Sequence, residues 1–302
     1  MVGNSMPPTF ITAVIREEVL RTNSTAPVPW WSFTKTILAA ASLVLVAKGR
    51  LRLDRPVLGR EFTLRQLLQH RAGLPDYGRL PAYHACVAAS AEPWPPAEML
   101  RRTGADRLIF APGQGWAYSN IGYLLVRRLI EEASGEPLGT ALSTLVMAPL
   151  GIRNTYLASR PEAFGAAAWN EARRYHPGWV YHGLLVGPAA DAAMLLHRIL
   201  GGHLLPRPLV SEMRTSVEVC GPLPGRPWQS VRYGLGLADC RAVSGRFLGH
   251  TGEGPGSAAA VLQHVPEDGL GTGCTTSAAF ALGDIPGGVE RMAIALAADR
   301  AG

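Results

Sequence analysis

Ser32-Phe33-Thr34-Lys35 places a hydroxyl and an amine three residues apart, directly before an apolar run from Thr36 to Ala47. On a helix these two side chains share a face, offset by roughly 4.5 Å along the axis. At that distance an amine can reach the hydroxyl and make it nucleophilic, the chemistry of a Ser-x-x-Lys pair opening a buried helix. The bland alternative is an N-cap serine beside a surface charge. Composition weighs against it: the chain has two lysines, Lys35 and Lys48, and 27 arginines among its 29 basic residues. Arginine cannot give up its proton, whereas a desolvated lysine can titrate at about 7–8. A lysine kept where arginine is the habit therefore points to a chemical need. Lys48, beside Gly49, has an adequate role at a helix C-terminus.

The elements around this pair are those of a globular protein. The chain has 302 residues, 47% hydrophobic and 17% charged, with a net charge of +6. It is long enough for one or two domains. Its arginines are scattered, with no basic run interleaved with aromatics, so nucleic-acid binding has little support. The positive excess favours anionic small molecules at most. Cys86, Cys220, Cys240 and Cys274 form no Cys-x-x-Cys and are expected as buried thiols. No signal peptide is evident, and the apolar runs fall short of the roughly 20 residues that span a bilayer. The expectation is a soluble, cytoplasmic protein without membrane insertion, or a periplasmic one if a leader is missing. The sequence leaves oligomeric state open.

In chain order, Phe10 to Leu20 predicts a strand or short helix, and the run from Thr36 predicts a helix stopped at Gly49. Thr63 predicts an N-cap for Leu64 to His70, with short helices over Ala82 to Ala91 and Pro96 to Arg102. A turn-rich stretch through Tyr118-Ser119-Asn120 leads into a periodic helix from Ile121 to Ser134. Leu138 to Met147 also reads as helix. Residues 158–183 read as a loop or ragged strand with aromatic walls. Tyr175, His176, Trp179 and His182 there serve either a pocket rim or packing. Pro188 to Leu200 is helical, followed by strands over Tyr233 to Ala238, Gly245 to His250 and Ser257 to Val265. Pro266-Glu-Asp-Gly269 signals a hairpin turn. Arg291 to Ala298 closes the chain as a helix, unless a strand runs on from Gly288.

Three separated segments now align: Ser32-Phe-Thr-Lys35, Tyr118-Ser-Asn120 and His250-Thr-Gly252. Together they resemble the serine β-lactamase and penicillin-binding DD-peptidase superfamily, nearest its class C-like branch of carboxylesterases and D-aminopeptidases. Leu67-Leu-Gln-His-Arg-Ala-Gly-Leu-Pro75, Tyr118-Ser-Asn-Ile-Gly-Tyr123, Ala148-Pro-Leu-Gly151 and Tyr233-Gly-Leu-Gly236 extend the resemblance over residues 30 to about 265. It implies an α/β/α sandwich with an antiparallel sheet (residues 1–60 and 184–302) and an inserted all-helical domain (61–183), with the active site between them. It also implies acyl transfer to water through an acyl-serine, with no cofactor and no metal. The substrate would be a small ester, amide, D-amino-acid peptide or β-lactam, with an esterase or amidase favoured over a dedicated β-lactamase.

By the same resemblance Ser32 is the nucleophile, supported by Lys35. Tyr118 is the general base and acid, its pKa to be lowered by the cationic neighbours Lys35 and His250. Asn120 holds Lys35 and the substrate, and can also cap the helix from Ile121. His250 and Thr251 edge the site, contacting a substrate carboxylate or relaying a proton. The backbone N–H groups of Ser32 and Glu253 form the oxyanion hole, and Gly252, Gly254 and Gly256 allow the backbone close to substrate. His70 and Asp76 flank a structural turn. Three features depart from the family: His250 stands where lysine is usual, Glu253 adds a carboxylate at the oxyanion hole, and the short segment before Ser32 could leave the sheet without an edge strand. A non-hydrolytic sensor that keeps the pocket is the rival from another class. A metal hydrolase is disfavoured, because no ligand-spaced His/Asp cluster appears.

Overall fold

The computed structural model describes residues 10–16, 19–164, 175–266, 274–283 and 285–299. The chain opens with an antiparallel hairpin, β1 (Phe10–Arg16) and β2 (Val19–Thr22). An edge strand is therefore present despite the short segment before Ser32. After β3 (Pro27–Pro29), a 3-10 turn over Trp31–Phe33 runs straight into α1 (Thr34–Ala47). Every residue of α1 from Thr34 to Leu45 is buried, as its uninterrupted apolar sequence requires. Gly49, at φ +70°, takes the left-handed conformation that ends it.

A capping box starts α2 (Leu64–Leu68): Thr63 Oγ1 accepts from the Gln66 N–H and Gln66 Oε1 accepts from the Thr63 N–H. Proline occupies the first turn of both α3 (Pro81–Ala88) and α4 (Pro96–Arg102). Next come α5 (Asn120–Ser134) and α6 (Leu138–Leu142), the latter continuing as a π turn through Met147. The short strands β4 (Tyr156–Ala158) and β5 (Leu184–Pro188) make a small antiparallel sheet in the order β3-β5-β4. Then follow α7 (Ala189–Leu200) and α8 (Arg207–Arg214). The strands β6 (Val217–Cys220), β7 (Ser230–Tyr233), β8 (Ala238–Ala242), β9 (Gly245–Gly254), β10 (Ser257–Val265) and β11 (Thr275–Leu282) precede α9 (Pro286–Ala298).

The main sheet runs β2-β1-β11-β10-β9-β8-β7-β6, with antiparallel neighbours. Side chains alternate across it. Leu248, Ala259, Val261, Ala278 and Phe280 join the core shared with α1 and α7, while Phe247, Ala258, Ala260, Ala279 and Ala281 pack with Val289, Ala293 and Ala297 of α9. Helices thus cover both faces, giving an α/β/α arrangement around an antiparallel sheet.

Several local expectations change. Tyr233 to Ala238 is a turn between β7 and β8, closed by the Gly234 N–H to Leu237 C=O bond of 2.7 Å. Gly236, at φ +66°, lies so close to α1 that a Cβ would sit 2.4 Å from the Ala39 Cβ. No strand was expected over Thr275–Leu282, whose Ser277-Ala278-Ala279 middle is weak in strand propensity, yet it lies centrally between β1 and β10. The last helix begins at Pro286, earlier than Arg291. Of the cysteines only Cys240 is buried; Cys86, Cys220 and Cys274 are partly exposed. The Pro266–Gly269 turn lies outside the described residues after Pro266, as do residues 165–174 of the aromatic stretch. Among the described residues no helix is long and apolar enough to cross a membrane.

Candidate active site

Ser32 sits in the 3-10 turn just ahead of α1, and Lys35 is the second residue of that helix. The preceding Trp31 has φ +45°, a backbone conformation that costs a non-glycine residue about 1–3 kcal/mol. Its surroundings hold it there. The indole Nε1–H donates to Ser257 Oγ at 2.9 Å, and the ring packs edge-on against Tyr175. Gly254 presses on the same ring, where a Cβ would come within 2.4 Å. A Cβ on Gly252 would lie 2.6 Å from the Ser32 nitrogen and 2.9 Å from the Trp30 oxygen. Gly252 and Gly254 are therefore small because the serine turn packs directly on them, and Gly256, at φ +82°, serves the β9–β10 turn.

Four side chains converge on Ser32 and Lys35. Lys35 Nζ lies 3.1 Å from Ser32 Oγ, 2.7 Å from Asn120 Oδ1 and 3.2 Å from His182 Nε2. The Tyr118 hydroxyl donates to Ser32 Oγ at 2.8 Å. Lys35 is fully buried. Desolvation brings its pKa down to about 7, against a partial upward pull from Asp76. The rings of Tyr118 and Tyr123 flank the amine, with centroids 5.0 and 5.6 Å away. Burial pushes the Tyr118 phenol up instead, and its bond to Ser32 offsets this only in part. Tyr118 is consequently a protonated donor at neutral pH, not a tyrosinate.

Local folding explains how Tyr118 and Asn120 are aimed. His70, at φ +58°, accepts the Ser119 N–H through Nδ1 at 3.1 Å and stacks on Tyr118 with centroids 4.3 Å apart. Ser119, not Asn120, is the N-cap of α5, accepting from the Gly122 N–H at 3.0 Å. Asn120 donates its backbone N–H to Asp76 Oδ1 at 2.7 Å, leaving its side chain for Lys35. His70 and Asp76, expected as structural, hold the one segment that carries Tyr118 and Asn120.

The third segment lies on β9. His250 Nδ1 is 2.6 Å from the Thr251 carbonyl, which can only accept, so Nδ1 carries the proton. Nε2 must then accept from the Tyr233 hydroxyl, 2.8 Å away. Burial, and then Lys35, hold the His250 pKa down at about 3. His250 is neutral and supplies no cation to Tyr118.

Thr251 points to the other face of β9 and donates to Glu290 Oε1 at 2.6 Å. That carboxylate also accepts from Trp228 Nε1 at 2.7 Å and pairs with Arg226. The Thr251 hydroxyl is thus committed beneath the sheet, away from Ser32. Alternation along β9 puts the Glu253 side chain on the Thr251 face as well. The backbone is different. β8 pairs with β9 only up to Gly249, so residues 250–254 have an open edge. Gly254 and Ser257 close a two-residue turn, and ladder alternation then turns the Thr251 and Glu253 backbone groups toward that edge.

Among the described residues no group of His, Cys, Asp or Glu could hold a metal ion. Of the aromatic stretch, Tyr175 packs on Trp31 and Trp179 lies in the core, while His182 reaches Lys35. Tyr233 and Glu290 carried no warning in the sequence as partners of His250 and Thr251.

The chain matches the Beta-lactamase family over residues 17–296. It belongs to that family. Among curated relatives it is 34% identical over 168 residues to esterase EstB of Burkholderia gladioli, covering 49% of this chain and 41% of the esterase. It is 32% identical over 153 residues to penicillin-binding protein 4* of Bacillus subtilis, covering 47% of this chain and 32% of that protein. The matches thus span less than half the length of these relatives. A D-stereospecific amidohydrolase from Streptomyces sp. superposes with a TM-score of 0.78 at 25% identity, over 95% of this chain and 93% of that one.

Proposed function

We propose that this chain is a serine hydrolase that forms an acyl-enzyme on Ser32. The observation carrying the proposal is one hydroxyl held 3.1 Å from a fully buried amine and 2.8 Å from a phenol. At neutral pH a lysine with a pKa of about 7 is substantially unprotonated and can accept the Ser32 proton as Oγ attacks a carbonyl. The N–H groups of Ser32 and Glu253 receive the oxyanion, each worth about 2.7–4 kcal/mol in the transition state. Tyr118 gives its O–H proton to the departing alcohol or amine. In deacylation water attacks the ester and its proton returns to Tyr118, while the Lys35 ammonium reprotonates Ser32 Oγ. Asn120 orients Lys35, and His250, locked to Tyr233, shapes the site edge as a neutral group. The helical segment 61–183, supplying Tyr118 and Asn120, forms one wall, and the segments 1–60 and 184–302 form the other.

Esters and neutral amides suit this site better than carboxylate-bearing β-lactams. The position that is usually lysine in the family is here an uncharged histidine, and the Thr251 hydroxyl is engaged with Glu290. The names of the matched esterase and D-stereospecific amidohydrolase are in keeping with that preference. The test is hydrolysis of p-nitrophenyl acetate and D-phenylalanine amide by wild type and Ser32→Ala, beside intact mass after benzylpenicillin. Serine-dependent turnover of ester or amide is expected to exceed that of penicillin. Equal rates for wild type and Ser32→Ala would overturn the proposal, and a lasting penicillin adduct without turnover would favour the sensor.

A further inference from the structure

Lys35 has one more partner than the proposed chemistry uses. His182, just before Gly183 and β5, is 2% exposed and brings Nε2 to 3.2 Å from Lys35 Nζ. Its Nδ1 is buried without a hydrogen-bond partner among the described residues. A buried ring atom without a partner costs about 1–3 kcal/mol, so packing alone gives no reason for a histidine here.

The hydrogen inventory of the amine supplies one. A neutral lysine has two N–H donors and one lone pair. Asn120 Oδ1 can only accept, and at 2.7 Å it takes one N–H. If His182 Nε2 also accepts, the second N–H is taken, and the lone pair is left for Ser32 Oγ. The Tyr118 hydroxyl donates to that oxygen from its own side, which frees the Ser32 hydrogen to turn toward Lys35. If His182 instead carried its proton on Nε2, it would donate to the lone pair and block the base.

We propose that His182, as its Nδ1–H tautomer, is a positioning residue that accepts an N–H of Lys35 and thereby aims the amine's lone pair at Ser32. The orphaned Nδ1–H is the cost of that orientation. Protonation does not compete with this role: burial, and then the neighbouring basic side chains, Lys35 first, hold His182 well below its ordinary pKa. The proposal rests on the serine-hydrolase reading for its kinetic consequences, but the tautomer itself does not.

The test has two arms. In the intact protein, nitrogen-15 NMR of the histidine rings between pH 6 and 8 is expected to show His182 protonated at Nδ1 and bare at Nε2. A proton on Nε2 would overturn the proposal whatever the activity. In the kinetic arm, His182→Leu should lower kcat on p-nitrophenyl acetate about tenfold to a hundredfold, with KM nearly unchanged. The acidic limb of the pH–rate profile, set by protonation of Lys35, should move to lower pH, because the ammonium loses an acceptor. His182→Gln, which restores an acceptor oxygen, should recover part of the loss. A purely structural role would lower thermal stability and leave the limb in place, with no rescue by glutamine, and that outcome would refute the proposal. Should His182→Leu not fold, His182→Gln and the tautomer decide. Ester turnover independent of Ser32 would defeat the hydrolase reading while leaving the tautomer result to judge this one.

Discussion

Two ionisable side chains are shut from solvent on opposite faces of β9, and they are treated in opposite ways. Lys35 meets Ser32, Asn120 and His182, none of them a carboxylate. Glu290 meets the Arg226 guanidinium, the Trp228 indole N–H and the Thr251 hydroxyl. Burial without an adjacent counter-charge turns a lysine into an amine that titrates near neutrality, which is the use proposed for it. Burial with a counter-charge and two donors makes a fixed tie between α9 and the strand that carries His250 and Gly252. Similar enclosure thus yields a reactive group on one side and an anchor on the other.

The comparison can be broken in stages. The largest effect is expected from Lys35→Met, which should lower kcat on a short-chain ester by about 10²–10⁴-fold while raising stability at pH 7. The sign follows from linkage. The pKa falls from 10.5 in the unfolded chain to about 7 in the fold, so the unfolded state binds more protons between those values. Stability contributed by this group therefore rises from pH 7 to 10.5, and the penalty is complete below about 7. Lys35→Arg, which keeps the charge, should lose activity as fully and stability besides. Activity measurements paired with thermal melts separate the two.

On the other face, Glu290→Gln should do the reverse, costing stability first and activity second. About 2–3 kcal/mol is expected in urea denaturation, below the 3–5 typical of a fully buried pair because the Arg226 side chain keeps 25% exposure. The pH profile of kcat/KM in the wild type should rise through an apparent pKa of about 7 and stay high above it, following neutral Lys35. A limb set by His250 would fall near 3 instead. The smallest effect is expected from Tyr233→Phe, which removes the donor to His250 Nε2 and should cost about 1–3 kcal/mol of stability with modest change in turnover.

The sequence made the serine helix legible because an apolar run and a rare lysine are signals that need no tertiary knowledge. The three motifs that resemble the family likewise brought Ser32, Lys35, Tyr118 and Asn120 into one cluster. What it hid depends on direction. Alternation along β9 sends His250 and Gly252 to one face and Thr251 and Glu253 to the other, so the strand acts as two sets of side chains although it reads as one motif. The partner of Thr251 lies 39 residues on, just ahead of the stretch from Arg291 that reads as helix. β11 was missed because its small residues suit a crowded sheet centre, not a typical strand pattern. Tyr118 was expected to need cationic help, whereas its burial makes it a donor. Burial is a tertiary property, and no local pattern around Tyr118 announces it.

The central claim is that an acyl group passes through Ser32. The direct test is acid quenching during turnover of p-nitrophenyl butyrate, followed by digestion and mass analysis of the peptide containing Ser32. The account predicts a butyryl group on that serine in wild type, none in Ser32→Ala, and little in Lys35→Met. Turnover with no acyl group on Ser32, or one equally abundant without Lys35, would contradict it.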